Sequence, residues 1–189
     1  EMCIRDRIDI PPGVLVYFVR LFYEFVVLPK THDERTHGGT SYMIRILTDS
    51  ASDILPAEAA QLGVDVIPLN VTLEDGTVIR DGVDLTPSEY YEHMAGCKKL
   101  PTTSQPSPEL FEKFYAEAAA AGDEVVGIFL SHELSGTYQC AKLAADLANV
   151  DNVLFVDSTN VCLGEGLLVR LAAHLRDEGK SAVQIAVTL

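Results

Sequence analysis

The residues whose types best suit ligand chemistry lie at residues 131–138, in the segment SHELSGTY. We predict a buried strand before this segment and a helix after it, which puts Ser135, Gly136 and Thr137 at the start of the helix. The first amides of a helix lack partners inside it, and the helix dipole adds a partial positive charge, so this end favours an anion. The segment therefore predicts an anion-binding site. The simpler alternative is that Ser135 only caps the helix.

A second polar segment, PTTSQPSP at residues 101–108, carries three consecutive hydroxyl side chains, those of Thr102, Thr103 and Ser104. The helix that we predict after it needs only one hydroxyl as a cap, so capping leaves the others unexplained. The prolines of the segment restrict its backbone before any ligand binds, which suits a preformed site. We predict a loop at residues 101–106 that supplies neutral hydrogen-bond donors.

Other catalytic chemistries fit these segments less well. The nucleophile elbow of a serine hydrolase needs glycine two residues before the serine, whereas Glu133 is found there, and no group can be named that would orient His132. The phosphate-binding pattern GxxxxGK[ST] is absent from the sequence. Two alternatives stay open: a phosphotransferase with His132 or Asp157 as the phosphoryl acceptor, and a small-molecule hydrolase that uses Ser135.

Metal and disulfide chemistry have little support in the sequence. Residues 48–53 contain carboxyl and hydroxyl groups that a divalent cation could use, but such groups are equally typical of strand ends and caps. The cysteines are widely spaced and form no CxxC pair, so we expect free thiols, no metal, no cofactor and a cytoplasmic protein. They are Cys3, Cys97, Cys140 and Cys162.

The net charge limits the class of ligand. The chain of 189 residues has 14 Lys and Arg against 28 Asp and Glu, a formal charge of −14 at pH 7. Nucleic acids and anionic lipid surfaces are bound by neutralising phosphates, so we expect no nucleic acid binding and no stable membrane insertion. An anionic ligand must therefore be held by uncharged donors at short range.

From residue 43 onward, apolar runs of strand length alternate with amphipathic segments of helix length. We predict strands at residues 44–47, 64–73 (bent at Pro68), 78–80, 124–130 and 153–156. We predict helices at residues 56–62, 87–94, 108–122, 136–148 and 164–178. This order predicts an α/β fold with a mostly parallel sheet and helices on both faces. Such sheets bind ligands beyond the carboxyl ends of their strands, and the loops that leave the strand ends here are residues 48–53, 131–135 and 157–160.

Residues 1–42 differ in pattern from the rest of the chain. Their apolar stretch at residues 13–28 contains Arg20 and Glu24 and is shorter than the ~20 residues of a membrane span. Residues 31–42 are polar and indicate a linker, and a strand begins directly after Met43. We therefore interpret residues 1–42 as an extension foreign to the following domain, an artefact of translated upstream or vector sequence.

Four segments together resemble the DegV family of fatty-acid-binding proteins, the acyl-carrying subunits of bacterial fatty acid kinase. They are TDSASD at residues 48–53, PTTSQPSP at residues 101–108, LSGTYQCA at residues 134–141 and the pair Asp157-Ser158. The resemblance extends over residues 43–189. It implies that these residues are the family's N-terminal α/β domain and that the C-terminal domain is absent from the chain.

In this family, two domains enclose one long-chain fatty acid and hold its carboxylate at polar residues between them. The resemblance implies that the hydroxyls of Thr103 and Ser135 bind the carboxylate. Ser104 and the amides of Gly136 and Thr137 are the implied helpers. The resemblance also implies a protein that is not itself an enzyme. It presents the bound acid to a separate fatty acid kinase, which forms the acyl phosphate with ATP for phospholipid synthesis.

The energetics agree with a fatty acid. A palmitate-sized tail has about 15 carbon groups to bury, which at ~0.8 kcal/mol per CH₂ supplies roughly 10 kcal/mol. Two hydrogen bonds to the charged headgroup add about 3 to 6 kcal/mol before desolvation is deducted. Residues 103–108 and 131–137 contain neither Lys nor Arg. A monoanionic carboxylate therefore suits these segments better than a dianionic phosphate.

Overall fold

The computed structural model of the chain describes residues 35–37 and 40–189. The strands in these ranges are β1 (Arg35–His37), β2 (Thr40–Tyr42), β3 (Ile44–Asp49), β4 (Val64–Ile67), β5 (Asn70–Thr72), β6 (Val78–Arg80), β7 (Thr102–Ser104), β8 (Glu124–Phe129) and β9 (Val153–Asp157). The helices are α1 (Pro56–Leu62), α2 (Pro87–Gly96), α3 (Pro108–Ala121), α4 (Thr137–Ala148), α5 (Leu163–Asp177) and α6 (Ala182–Thr188). A 3₁₀ turn, Ser50–Ser52, follows β3.

A four-stranded sheet with the order β4-β3-β8-β9 forms the centre of the fold, and all of its strands are parallel. Ile46 of β3 pairs with Val64 of β4 and with Val126 of β8. Successive side chains of a strand point to opposite faces of its sheet. Ile46 and the next residue, Leu47, accordingly lie in two separate core clusters, and both are fully buried. The predicted parallel sheet is confirmed.

Helices cover both faces of this sheet. On one face, α1, α5 and α6 pack in the cluster of Ile46, where Val169 and Ile185 are fully buried. On the other face, α3 and α4 pack in the cluster of Leu47, where the ring of Tyr115 is fully buried. The prediction of an α/β fold with helices on both faces is confirmed.

A second sheet has three antiparallel strands in the order β6-β5-β7. The chain leaves the main sheet at the predicted bend, Pro68, so the extended run predicted over residues 64–73 is divided between the two sheets. The strand predicted at residues 78–80 is present as β6, which pairs with β5 in an antiparallel hairpin. The prediction of a loop at residues 101–106 was wrong in part, because β7 lies inside it and pairs with β5. Its two threonines are β-branched and suit a strand.

The helix ends follow the sequence signals in most cases. Gly63 ends α1 with a left-handed φ of 58°, which costs glycine little. Thr86 and Glu89 form a capping box at the start of α2, where the sequence predicts a helix from residue 87. The side chain of Ser107 makes no capping hydrogen bond, although the residue lies at the predicted cap position of α3. The sequence analysis missed α6, whose capping box is formed by Ser181 and Gln184.

The first described residues form a hairpin. β1 and β2 pair antiparallel, with Arg35 opposite Tyr42, where a linker was predicted. The pair Gly38-Gly39 between them in the sequence is typical of two-residue hairpin connections. Most of the segment interpreted as a foreign extension, residues 1–42, lies outside the described residues. Within the described ranges, none of the helices has the length and apolar character required to traverse a bilayer.

Candidate functional site

The loop between β8 and α4, residues 130–136, brings Ser135 to the start of α4. It is tied down at its first residue, because the Leu130 amide donates to Asp49 Oδ2 at 3.0 Å. The loop then closes on itself, since the Ser135 amide donates to the carbonyl of Ser131 at 3.1 Å. The position of Ser135 is therefore set by contacts near the carboxyl ends of β3 and β8.

The hydroxyl of Ser135 is held by Thr137. Ser135 Oγ lies 3.0 Å from Thr137 Oγ1 and accepts a hydrogen bond from the Thr137 amide at 3.3 Å. Thr137 is fully buried, whereas Ser135 is partly exposed. A hydroxyl accepts two hydrogen bonds and donates one. When the amide and the hydroxyl of Thr137 both donate to Ser135 Oγ, the Ser135 proton is left to donate to a ligand.

Gly136 adds a backbone donor beside this hydroxyl. It is the N-cap residue of α4, it is exposed, and its amide has no acceptor among the residues that the structure describes. The amide of Thr137, in contrast, is already bound to Ser135. The start of α4 therefore offers one hydroxyl and one free amide to an anion, and Thr137 acts on Ser135 from the buried side.

The hydroxyls of the second segment lie on an edge strand. Thr103 is opposite Val71 of β5, and side chains directly opposite each other share a face of the sheet, so Thr103 lies on the face of a nearly fully buried valine. Thr102 and Ser104 are its neighbours along β7 and point to the other face. The structure therefore separates the hydroxyls of Thr103 and Ser104, although all three side chains are exposed.

The two segments meet at Gln105 and Gly136. The side-chain oxygen of Gln105 lies where a Cβ atom on residue 136 would be, so the close approach needs glycine. The next carbonyl along the chain, that of Pro106, accepts a hydrogen bond from the thiol of Cys140 in α4 at 3.5 Å. Sequence reasoning did not assign Gln105, although it lies inside the motif TSQPSP and directly follows the predicted hydroxyls.

His132 has an orienting partner that the sequence did not reveal. Its ring Nδ1 contacts Asp157 Oδ2, and its amide donates to Asp157 Oδ1 at 3.3 Å. The hydrogen bond with Asp157 raises the pKa of His132. The other ring nitrogen, Nε2, lies 3.3 Å from Glu133 Oε1. Both ring nitrogens thus face carboxylates, and the Ser135 hydroxyl is bound to Thr137 instead, so these residues do not form a hydrolase triad.

Two fully buried carboxyl groups lie behind the loop at residues 130–136, those of Asp49 and Glu165. The amides of Ala51 and Leu130 donate to Asp49 at 2.9 and 3.0 Å, and the Thr48 hydroxyl donates to Glu165 at 3.2 Å. Burial raises the pKa of Glu165 to about 9. Burial also raises the pKa of Asp49 to about 6, although the two amides oppose the shift. Of the two carboxyl groups, Glu165 therefore holds a proton more strongly than Asp49 does.

The polar side chains of residues 48–53, which a divalent cation could use, form hydrogen bonds within the protein. Asp49 binds backbone amides, and the Ser52 hydroxyl donates to the carbonyl of Asp49 at 2.7 Å. In the described part of the chain, no group of three or more His, Cys, Asp and Glu side chains could hold a metal ion. Residues 48–53 thus form a turn that their own side chains stabilise.

Known proteins resemble this chain in sequence and in structure. The model of the DegV family, described as an uncharacterised protein, matches residues 43–189. A DegV domain-containing protein from Deinococcus radiodurans is 44% identical over 146 residues, which are 77% of this chain and 51% of that protein. The chain spans about half the length of the curated relatives that it matches.

Two solved structures show the same fold. A DegV family protein from Thermus thermophilus, described for its fatty acid binding, is 39% identical with a TM-score of 0.69, over 77% of this chain and 51% of that one. The fatty acid kinase B3 protein of Streptococcus pneumoniae, loaded with linoleic acid, is 22% identical with a TM-score of 0.64, over 77% of this chain and 52% of that one. The second likeness concerns the fold alone. With the family model matched over residues 43–189, the chain belongs to the DegV family.

Proposed function

We propose that residues 43–189 supply the carboxylate-binding part of a long-chain fatty acid carrier. The observation that carries this proposal is the arrangement of Ser135, whose oxygen accepts from the Thr137 amide and lies 3.0 Å from the buried Thr137 hydroxyl. When the Thr137 hydroxyl donates to Ser135, the Ser135 proton is available to a ligand, beside the free amide of Gly136. Two neutral donors side by side suit the two oxygens of one carboxylate.

Thr103 is the third donor of the proposed site. The contact of Gln105 with Gly136 holds the segment that follows β7 against the start of α4. The Asn70 side chain also donates to the carbonyl of Gln105 at 3.2 Å, which fixes the segment to β5. We assign Thr103, and not Ser104, to the carboxylate itself. Ser104 lies on the other face of β7 and contributes only as part of that strand.

The charge around the loops favours a carboxylate over a phosphate. The basic side chain that the structure places in the loop at residues 130–136 is that of His132, and it is paired with Asp157. Neutral donors offset one negative charge more readily than two, and the acidic chain repels anions at long range. The affinity then comes from burial of the tail, and the hydroxyls fix the orientation of the acid.

The proposed role of the whole protein is to present the acid to a separate kinase. It is a carrier and not an enzyme, and it requires neither metal nor cofactor of its own. The solved protein from Thermus thermophilus supports the fatty acid, whereas the kinase partner and the acyl phosphate rest on the resemblance of the motifs. The free thiols of Cys97, Cys140 and Cys162 agree with a cytoplasmic location.

The test is to measure the binding of cis-parinaric acid, a fluorescent fatty acid, to the full chain and to Ser135→Ala and Thr103→Val. Each variant removes a hydrogen bond to a charged group, which is worth about 1.5 to 3 kcal/mol, so we expect the affinity to fall about 10- to 100-fold. Thr102→Val is the matched control, because Thr102 lies on the other face of β7. Wild-type affinity in both site variants would contradict the assignment.

Mass spectrometry of the purified chain separates the alternatives. A co-purified long-chain acid supports the carrier. A phosphorylated His132 or Asp157 would instead favour a phosphotransferase and overturn the proposal. The structure does not favour that outcome, because both Asp157 oxygens are engaged, Oδ1 by the amides of His132 and Thr159 and Oδ2 by the imidazole.

A further inference from the structure

The proposed site gives no role to the two buried carboxyl groups of Asp49 and Glu165. Asp49 is the last residue of β3, and Glu165 lies in the first turn of α5. Burial of an ionised carboxyl group is costly unless its oxygens are satisfied. Asp49 of this pair binds the first residue of the loop that carries Ser135.

Asp49 connects the end of β3 to the loop at residues 130–136. One of its oxygens accepts from the Ala51 amide at 2.9 Å, and the other accepts from the Leu130 amide at 3.0 Å. Leu130 is followed by Ser131, whose carbonyl accepts a hydrogen bond from the Ser135 amide at 3.1 Å. A displacement of the Asp49 carboxylate would therefore remove the Leu130 contact, while the Ser131 amide would still donate to the carbonyl of Asn160 at 2.8 Å.

Glu165 is the second fully buried carboxyl group beside the end of β3. Its Oε1 accepts from the Thr48 hydroxyl at 3.2 Å, and its Oε2 is buried with no hydrogen-bond partner among the described residues. The carboxyl group next to it is that of Asp49, and the two groups interact by hydrogen bonding and by charge. A protonated Glu165 can thus donate to Asp49 and leave the amide contacts of Asp49 intact.

The other ionisable groups near the pair are acids and a thiol. Asp81 faces Asp49, and its charge raises the pKa of that carboxyl group. Asp53 acts in the same way on Glu165. Burial raises the pKa of the Cys162 thiol, and Asp53 raises it further. None of these neighbours offsets a second negative charge on the pair.

Arg170 of α5 pairs with another carboxylate. It donates to both carboxylate oxygens of Glu58 in α1, at 2.6 and 2.9 Å. Its remaining nitrogen, Nη1, is buried and has no partner among the described residues. A proton on Glu165 is what keeps Asp49 from facing a second buried charge.

We propose that Asp49 is a positioning residue for Ser135, and that Glu165 keeps Asp49 on the Leu130 amide through a shared proton. This inference rests on the proposed function. When Glu165 ionises, two like charges meet in a buried place, Asp49 withdraws from Leu130, and the loop that carries Ser135 loses this one of its anchors, while the contacts of His132 with Asp157 remain. The fatty acid affinity then falls at high pH because of the protein and not because of the ligand.

The test compares the pH profile of cis-parinaric acid binding for the full chain and for Glu165→Gln. Glutamine keeps an oxygen for the Thr48 hydroxyl and an N–H group for Asp49, but it has no proton to lose. The affinity of the wild type should fall by up to about tenfold per pH unit above pH 9, as expected for the loss of one proton. The profile of Glu165→Gln should be flat over the same range, and effects of ligand ionisation cancel because they act on both proteins.

A second variant, Asp49→Asn, tests the contact with Leu130 directly. The asparagine NH₂ group must face one of two amide donors, so one of the two hydrogen bonds is lost. We expect an affinity at least about fivefold lower near pH 7 and faster hydrogen exchange of the Leu130 amide. Asp151→Asn, an exposed aspartate between α4 and β9, is the matched control and should bind as the wild type does.

The outcomes separate this inference from the proposed function. A wild type that binds no fatty acid at any pH contradicts the proposed function. A wild type that binds, together with an identical pH profile for Glu165→Gln, overturns the role of the shared proton. A folded Asp49→Asn that binds the acid with wild-type affinity overturns the positioning role of Asp49.

Discussion

The side-chain oxygen of Gln105 occupies the space next to Gly136 that a Cβ atom would fill. This contact joins the two polar segments of the chain, one after β7 and one before α4. The backbone φ of Gly136 is −75°, a value that any residue adopts, so the glycine is needed for space and not for its backbone conformation.

The first prediction concerns Gly136→Ala. The new methyl group must displace Gln105, and since the displaced group is the end of a flexible side chain, we expect a loss of only about 0.5 to 1 kcal/mol in the free energy of unfolding. In a Gln105→Ala background the same substitution should cost nothing, because the two residues are coupled. Urea unfolding followed by circular dichroism measures both costs, and equal costs in the two backgrounds would show that the contact does not form.

The second prediction concerns Gly166 of α5, which has a close backbone neighbour. A Cβ atom there would overlap the carbonyl oxygen of Ser52 and lie 2.8 Å from Arg170 Nη1. Because the turn Ser50–Ser52 must shift, Gly166→Ala should destabilise the fold by about 1 to 3 kcal/mol.

Gly96 of α2 provides the matched control for that substitution. A Cβ atom at this position would have no neighbour within 4 Å, so Gly96→Ala should be neutral or stabilise the fold by up to ~1 kcal/mol. Urea midpoints of the two variants give the comparison. Similar midpoints would mean that α5 does not pack against the turn after β3 as described.

The third prediction is the pH dependence of stability. The pKa of Glu165 is about 9 in the folded chain against an ordinary value of 4.5, so between these values the folded state binds more protons than the unfolded state. Its contribution to stability is complete below pH 4.5 and is lost as the pH rises through 9. Asp49 acts with the same sign between pH 3.8 and about 6.

Urea midpoints measured from pH 6 to pH 9 test this dependence. The midpoint of the wild type should decrease over this range, and that of Glu165→Gln should decrease much less. A wild-type midpoint that stays constant, or the same slope in the variant, would refute the assignment of the proton to Glu165.

The fourth prediction concerns the ring of His132. Asp157 binds this ring and raises its pKa, so Asp157→Asn should move the pKa of His132 back toward the ordinary value of 6.5. An NMR titration of the ring Cε1–H signals measures the change. Asp151→Asn serves as the control and should leave the titration of His132 unchanged. If Asp157→Asn also left it unchanged, the contact between the two side chains would be disproved.

Local signals were enough to predict most of the main sheet and its helices. Pro56 and Gly63 bound α1 as the sequence indicated, because a proline suits the first turn of a helix and a glycine readily takes the left-handed conformation after it. The same holds for the capping box of Thr86 and Glu89. Each of these features depends on residues within one or two helical turns of each other, so it can be recognised from the sequence alone.

The features that were missed depend on distant partners. β7 forms because Thr103 pairs with Val71, and His132 contacts Asp157 although 25 residues separate them. Neither contact has a periodic pattern, so no local rule could find it. The exception is α6, whose capping residues, Ser181 and Gln184, are adjacent enough to have been recognised.

The hydroxyls of Thr103 and Ser135 belong to different sheets, since β7 lies in the three-stranded sheet and Ser135 follows β8 of the four-stranded one. A carboxylate bound by both hydroxyls would connect two sheets that no strand pairing joins in the described chain. Such a ligand would restrain the position of one sheet relative to the other.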